Sequence, residues 1–329
     1  MSKIRIGIVG YGNLGKSVET GIRHNDDMEL VGIFSRREPS TIKTQIKESK
    51  VYNIEQAKDL VDDIDVTILC GGSRSDIPSQ GPLFASMFNT VDGFDTHAKI
   101  PEYFDVIDKT AKESGKTSII SSGWDPGMFS LNRLYAQAIL PIGQTHTFWG
   151  KGVSQGHSDA VRRVDGVKDA VQYTIPIDSA IDSIKRGEST LLSARQKHKR
   201  DCYVVVEDGA DKAQIEKEIK TMPNYFSDYD TQVYFITDEE LERDHGGIPH
   251  GGLVIHHGQT GLNNEHNHII EYNIKLESNP DFTASVLIAY ARAAYRLNKE
   301  GNFGAKTVVD IAPAYLSSKS AEEIRKELI

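Results

Sequence analysis

Apolar positions along the chain come in two textures. Over the first 122 residues, short apolar runs alternate with segments of helical periodicity. Ile4-Arg-Ile-Gly-Ile-Val9 reads as a strand, with a helix over 16–24 behind it. Strands are predicted at 30–34, 64–69, 88–92 and 118–121, with helices near 80–88 and 102–114. Strands that alternate with helices in this way predict a parallel, doubly wound sheet.

After Gly123 the pattern becomes richer in strands. Five are predicted, at 145–149, 202–207, 232–236, 253–256 and 269–277, with helices at 159–171, 178–186 and 211–220. This reads as a second, α+β domain with a mixed or antiparallel sheet. A last helix over 282–299 places Val286, Tyr290, Ala293 and Leu297 on one stripe, with Gly301 just past its end. It is expected to pack back on the first domain. The predicted architecture is an α/β protein: a doubly wound, Rossmann-type parallel sheet over 1–122 plus 280–329, with an inserted α+β domain over 123–279.

Composition narrows the classes. The chain has 329 residues, enough for about two domains. Charged residues at 26% and hydrophobic residues at 38% exclude collagen-like and wholly disordered chains. Only two cysteines are present, Cys70 and Cys202, so no disulfide framework is expected. No apolar run has the length of a membrane helix, and Met1-Ser-Lys-Ile-Arg5 leads straight into a strand pattern without a secretory leader, so a cytosolic location is expected. A net charge of −9 argues against nucleic acid as the partner.

The most specific local signal is Gly10-Tyr11-Gly12-Asn13-Leu14-Gly15, which follows a strand and opens a helix. Glycines there allow a tight turn and let backbone approach a pyrophosphate, which the helix N-terminus attracts. NAD-binding proteins carry an acidic residue at the end of the second strand, for the ribose hydroxyls. Here that strand runs into Ser35-Arg36-Arg37. Two guanidiniums suit a 2′-phosphate, so NADP is expected. Cys70-Gly71-Gly72-Ser73 ends another strand with small residues over which the cofactor can pass, Cys70 reading as a buried small hydrophobe.

With these segments in view, the chain closely resembles the meso-diaminopimelate dehydrogenases, a family of NADP-dependent amino-acid dehydrogenases. The resemblance rests on the glycine loop, Phe34-Ser-Arg-Arg37, Gly123-Trp-Asp-Pro-Gly-Met-Phe129, His146-Thr-Phe-Trp-Gly150, Ser154-Gln-Gly-His-Ser-Asp159, Ala170-Val-Gln-Tyr-Thr174, His198-Lys-Arg200, Thr221-Met-Pro-Asn-Tyr225, Pro249-His-Gly-Gly252 and Asn279-Pro-Asp-Phe282. It implies reversible oxidative deamination at the D-centre of meso-2,6-diaminopimelate, with release of ammonia and a product that cyclises to tetrahydrodipicolinate. It implies a homodimer, with 1–122 plus 280–329 as the dinucleotide domain and 123–279 as the substrate and dimerisation domain.

The resemblance also implies site residues. Asp95 and Asp125 fall near the reacting amino acid, and Gly123, Trp124, Asp125 and Pro126 near the cofactor. Thr174, Arg200, His250 and Asn279 fall at the distal, L-configured end. Trp149 is expected to wall the methylene chain, and Gln155, Gly156 and Asp159 to lie in a glycine-bearing turn at the substrate. Read without the resemblance, Asp125 serves equally as a helix N-cap with Pro126 in the first turn, and Asp95 as a loop carboxylate. Likewise 195–200 is a basic surface run, His250 an exposed loop residue and Asn279 the start of a helix. His256, His257, His266 and His268 match no metal-ligand spacing, so no metal is expected. Two other readings remain: a sugar or polyol oxidoreductase, for which His97-Ala-Lys-Ile-Pro101 is a poor match to a Glu-Lys-Pro motif, and a non-catalytic NADP sensor.

Overall fold

The computed structural model describes residues 2–188 and 191–329. The chain divides into two units, Met1–Leu131 with Pro280–Ile329, and Asn132–Asn279. The segment from Gly123 to Leu131 therefore belongs with the first unit, not with the inserted one.

Unit 1 begins β1 (Ile4–Val9), α1 (Asn13–Ile22), β2 (Met28–Ser35), β3 (Val51–Asn53), β4 (Val66–Leu69), α2 (Ile77–Ala85), β5 (Asn89–Asp92), α3 (Ile100–Glu113) and β6 (Thr117–Ile119). The next helix, α4 (Met128–Ile139), contains the division between the units.

Unit 2 continues with β7 (Gly143–Trp149), β8 (Gly152–Val153), α5 (Gln155–Arg162), β9 (Val167–Pro176), α6 (Asp178–Lys185), α7 (Ala194–Lys197) and β10 (His198–Val206). It ends with α8 (Lys212–Thr221), β11 (Asp230–Phe235), α9 (Asp238–His245), β12 (His250–Thr260) and β13 (His266–Leu276). The chain then returns to unit 1 through α10 (Asn279–Lys299), β14 (Gly304–Lys306) and α11 (Ala321–Leu328).

The sheet of unit 1 has seven strands in the order β14-β6-β5-β4-β1-β2-β3, all paired in parallel. The order reverses direction at β1, and ligands of open α/β sheets bind at such a switch point, beyond the carboxyl ends of the strands. Apolar residues cover both faces. On one, Ile4, Ile6 and Ile8 pack with Val18 and Ile22 of α1 and with Ala284, Leu287, Ile288 and Ala291 of α10. The expectation that the last long helix packs on the first domain is met by this stripe. Its buried Arg292 clasps Asp27 at 2.6 Å and Asn25 at 2.9 Å, which holds the Asp27 carboxyl below its ordinary pKa.

Unit 2 has two sheets, β11-β10-β9-β8 and β13-β12-β7. The first is mixed, since β10 and β11 are parallel and the other pairs antiparallel; the second is wholly antiparallel.

One predicted helix is corrected. The span 159–171 is helical only to Arg162; Gly166 turns at φ +79°, and Val167–Pro176 is the strand β9 between β8 and β10. Ala160, Val161, Val164, Val167 and Val171 recur at helical spacing, but Val171 and its neighbours bury themselves by pairing with β10. The short strands β3, β8 and β14 and the helices α7, α9 and α11 had no counterpart in the sequence pattern, and α4 had only the helix start suggested at Asp125-Pro126.

Candidate functional site

In unit 1 the glycine loop joins β1 to α1. Gly10 has φ +92°, where a side chain would be strained, and a Cβ on Gly15 would lie 2.2 Å from the Gly10 carbonyl oxygen. Both glycines are thus required by the loop itself. Gly12 differs: a Cβ there would meet nothing within 4 Å. The space over Gly12 is open, beside a cleft of about 340 Å³ lined by Gly10, Tyr11, Gly12, the 34–37 segment, Cys70, Gly71, Gly72, Asp76 and Gln80. Asn13 and Leu14 form the first turn of α1, whose exposed N–H groups face an anion naturally.

The basic end of β2 is held in place. The Arg37 guanidinium donates to the Tyr11 carbonyl at 2.6 Å, and its backbone N–H donates to Ser35 Oγ at 3.1 Å. Arg36 pairs with Asp76 at 2.5 Å, and Asp76 also accepts from the Gly72 N–H at 2.8 Å. Gln80 Oε1 is buried on the cleft wall with no hydrogen-bond partner among the described residues. Open space over Gly12, an unused acceptor and two guanidiniums at the end of β2 fit a phosphorylated dinucleotide. Cys70 is a wall residue: burial pushes its thiol well above the ordinary value, so it stays a protonated hydrophobe.

Asp95 and Asp125 sit on loops beyond the carboxyl ends of β5 and β6. Both loops are tied to one buried carboxylate that the sequence reading did not single out. Asp92 Oδ1 accepts from the Phe94 N–H at 2.9 Å and the Ser121 N–H at 3.1 Å, and Oδ2 accepts from Tyr103 Oη at 2.8 Å. Burial raises the Asp92 carboxyl and the Tyr103 phenol above their ordinary values. The Asp95 N–H donates to Ser73 Oγ at 2.9 Å, which joins the β4 and β5 loops, and the Asp95 side chain is exposed. Asp125 is half-buried and is not an N-cap, because α4 begins only at Met128. Gly127, with φ +133°, closes the 123–127 turn so tightly that a Cβ would lie 1.8 Å from the Gly123 carbonyl oxygen. Trp124 is buried edge-on against Phe129, and Pro126 is half-buried.

Unit 2 gathers a second cluster from several strands. Arg200 on β10 stands opposite Thr174 on β9, and its Nη1 donates to Thr174 Oγ1. The guanidinium is 7% exposed and lies 4.0 Å from the centre of the Tyr229 ring. Its Nε is buried without a partner, and no carboxylate pairs with it among the described residues. The basic run 195–200 is therefore not a solvated face at its last residue. Gly152 of β8 also pairs with Thr174, and a Cβ there would lie 2.5 Å from His250 Cα. His250 is half-buried; burial and the charge of Arg200 hold its ring below the ordinary pKa. Asn279 opens α10, as its sequence position suggests, and its N–H donates to the Ile248 carbonyl at 2.9 Å.

Trp149, 40% exposed, ends β7. Its backbone N–H donates to His198 Nε2 at 2.9 Å, and the two rings stack with centroids 5.6 Å apart. An imidazole nitrogen that accepts is unprotonated, and burial, helped by Arg200 and Lys197, lowers His198 to about 4. His198 lies in a segment that carried the resemblance, but nothing in the pattern marked its role.

Gln155, Gly156 and Asp159 are not in a turn. They lie on α5, where Gln155 and Gly156 are exposed at the N-terminus and Asp159 pairs with Arg162 at 2.7 Å. Ser154, in extended backbone, ends the preceding connection and lets the helix start directly at Gln155. Among the described residues no group of three or more His, Cys, Asp or Glu could hold a metal. His256 uses both ring nitrogens on Thr145 Oγ1 and the Leu140 carbonyl, at 2.7 and 2.9 Å.

A parallel sheet with a glycine loop at its switch point and a basic end to β2, in one chain with a unit that buries a guanidinium without a paired carboxylate among the described residues, defines a nicotinamide-dinucleotide oxidoreductase. A family model described as the diaminopimelic acid dehydrogenase C-terminal domain matches residues 123–278. The meso-diaminopimelate D-dehydrogenase of Acetivibrio thermocellus is 67% identical over the whole of this chain and 98% of its own. The chain belongs to the meso-diaminopimelate D-dehydrogenase family. Among solved structures, a C. glutamicum DAP dehydrogenase in complex with DAP matches with TM-score 0.93 and 48% identity, covering all of both chains. An engineered D-amino acid dehydrogenase bound to NADP+ matches with TM-score 0.88 and 46% identity, again over all of both chains.

Proposed function

We propose that the protein catalyses the reversible NADP-dependent oxidative deamination of meso-2,6-diaminopimelate at its D-configured centre. With water, the products are L-2-amino-6-oxopimelate, ammonia, NADPH and a proton. The observation that carries this reading is Arg200. A buried guanidinium with an unpartnered Nε and no paired carboxylate is costly unless a ligand supplies the anion. Diaminopimelate has a second carboxylate to give it; a polyol has none.

NADP+, when bound, accepts the hydride from the α-carbon. The glycine loop, with residues 10–15, holds its pyrophosphate, and Ser35, Arg36 and Arg37 hold its 2′-phosphate. Residues 70–73 and 123–126 line its path. Asp95 and Asp125 place negative charge at the reacting ammonium and take part in removing its proton, which must leave before the nitrogen lone pair can form the imine. Arg200, Thr174, His250 and Asn279 grip the distal amino-acid end. Trp149 walls the methylene chain, and Gln155, Gly156 and Asp159 present the N-terminal turns of α5 to the substrate. Trp149 is set for this by its bond to His198, which must stay neutral to accept.

The test is NADPH formation with two candidate substrates. meso-Diaminopimelate is expected to reduce NADP+, with release of ammonia, and a polyol is not. NADP+ is expected to bind at least about tenfold more tightly than NAD+, since a charge-assisted contact readily supplies that factor. Turnover of a polyol alone supports a sugar oxidoreductase; NADP+ binding without turnover of either supports a sensor.

The same reading makes the protein a cytosolic homodimer. Leu134, Tyr135 and Ile139 on α4 and Ile142 just beyond it are exposed apolar residues, which supports self-association. Among the described residues no helix is long and apolar enough to cross a membrane. Light scattering at the mass of one chain overturns the dimer.

A further inference from the structure

Behind the glycine loop lies a carboxylate that no part of the reaction uses. Glu19 on α1 is fully buried. Its Oε2 accepts from Tyr11 Oη and from the Gln45 N–H at 2.9 Å, and its Oε1 accepts from the Ile46 N–H at 3.1 Å. No cation pairs with it among the described residues. The carboxylate is instead satisfied by two backbone donors and one phenol, which is how a buried acid can be kept without a counter-ion.

Tyr11 is consequently gripped at both ends. Its hydroxyl donates to Glu19 and accepts from the Gln45 N–H at 2.9 Å, and its ring is buried among Ile6, Ile8 and Val18 in the core of unit 1. Burial and the bond to Glu19 push the phenol up to about 12, so it remains a donor. Its backbone carbonyl, inside the glycine loop, accepts from Arg37 Nη2 at 2.6 Å. The chain of contacts from Glu19 to Tyr11 to Arg37 joins the helix, the loop and the basic end of β2.

We propose that Glu19 is a positioning residue for cofactor selectivity: acting through Tyr11, it fixes the loop carbonyl that aims the Arg37 guanidinium at the 2′-phosphate of NADP. This rests on the assignment of residues 35–37 to that phosphate. An arginine side chain carries much rotamer freedom, and a guanidinium already oriented by a fixed acceptor loses less on binding an anion. NAD has no 2′-phosphate, so its affinity does not depend on where Arg37 points. A role confined to holding the loop together weakens both cofactors alike.

The experiment is a double-mutant cycle on the whole protein, read as Kd for NADPH and for NADH. Tyr11→Phe removes one hydroxyl and leaves Glu19 accepting from Gln45 and Ile46, so the fold is retained. It is expected to weaken NADPH by about fivefold and NADH by less than about twofold. Arg37→Gln is expected to reduce the NADPH preference further, and adding Tyr11→Phe to it is expected to change nothing more, because the hydroxyl acts through Arg37. Glu19→Gln, which sets an amide N–H against a backbone donor, is expected to shift the preference in the same direction as Tyr11→Phe. Equal losses for both cofactors, or no loss, in Tyr11→Phe overturn the proposal while Arg37→Gln still shifts the ratio. An unshifted ratio in Arg37→Gln overturns the phosphate assignment and the proposal with it.

Discussion

Arg200 and Thr174 face each other across the antiparallel pair of β10 and β9, and the guanidinium donates to the threonine hydroxyl from a nearly closed environment. One donor is spent on Thr174, while Nε is buried and unused. Burial lowers the guanidinium below its ordinary pKa, and Tyr229, whose ring centre lies 4.0 Å away, opposes that shift.

Arg200→Met removes the donor and keeps apolar bulk. It is expected to raise KM for meso-diaminopimelate about tenfold or more, the worth of a charge-assisted contact. A D-amino acid with one carboxylate has nothing to lose there and its KM is expected to change little. Steady-state kinetics with both substrates make the comparison; equal losses show that Arg200 only supports the fold.

The glycine loop offers a separation of folding from binding. Gly15→Ala sets a methyl 2.2 Å from the Gly10 carbonyl oxygen and is expected to destabilise the protein by about 1–3 kcal/mol, seen as a lower Tm. Gly12→Ala meets open space and is expected to leave the Tm of the cofactor-free protein unchanged, while weakening NADP+ because the methyl occupies the path of the pyrophosphate. Calorimetry and fluorescence titration of both variants check this. A Gly12→Ala protein that binds NADP+ normally shows that the open space is not the cofactor's.

The oxidative rate is expected to rise into the alkaline range, because the substrate amine is an ammonium near neutrality and its proton must be removed before hydride leaves. Asp95→Asn and Asp125→Asn are each expected to lower kcat. The larger loss, with an altered pH profile, identifies the group that moves the proton. Profiles of wild type and both variants from about pH 6 to 11 decide it, a range that spans amine titration. A flat wild-type profile, or undiminished kcat in both variants, rejects the assignment.

His198 makes stability fall on the acid side. Its pKa in the folded protein is about 4, below the ordinary 6.5, so the unfolded chain takes up this proton first as pH falls. The stability of the neutral, buried ring is complete above pH 6.5 and is lost progressively down to about pH 4, on the order of 3 kcal/mol in all. His198→Gln keeps an acceptor for the Trp149 N–H and cannot titrate. Denaturant melts at about pH 7 and pH 4.5 are expected to show the variant gaining on wild type at the lower pH. A stability difference that does not change with pH rejects the role of His198.

Much of unit 1 is legible in the residues because its signals are local. A strand, a glycine loop and a helix follow one another within Ile4–Ile22, and the basic end of β2 is read directly from Ser35-Arg36-Arg37. The helical stripe of Val286, Tyr290, Ala293 and Leu297 likewise declares its buried face through its period alone.

What the tertiary structure alone decided has a common cause: partners distant in sequence. Val167–Pro176 carries a spacing that suits a helix and becomes a strand because β10 pairs with it, and only that pairing sets Thr174 against Arg200. Gln155, Gly156 and Asp159 look like a turn and form a helix. Asp92 and Glu19 are ordinary acids by sequence. Each acquires its role from backbone donors contributed by other segments, Ser121 for Asp92 and Gln45 and Ile46 for Glu19. Periodicity and motif encode which face of an element is apolar and where a phosphate loop sits; the donors that will meet a buried carboxylate are set by register and loop closure, which the chain fixes only when it folds.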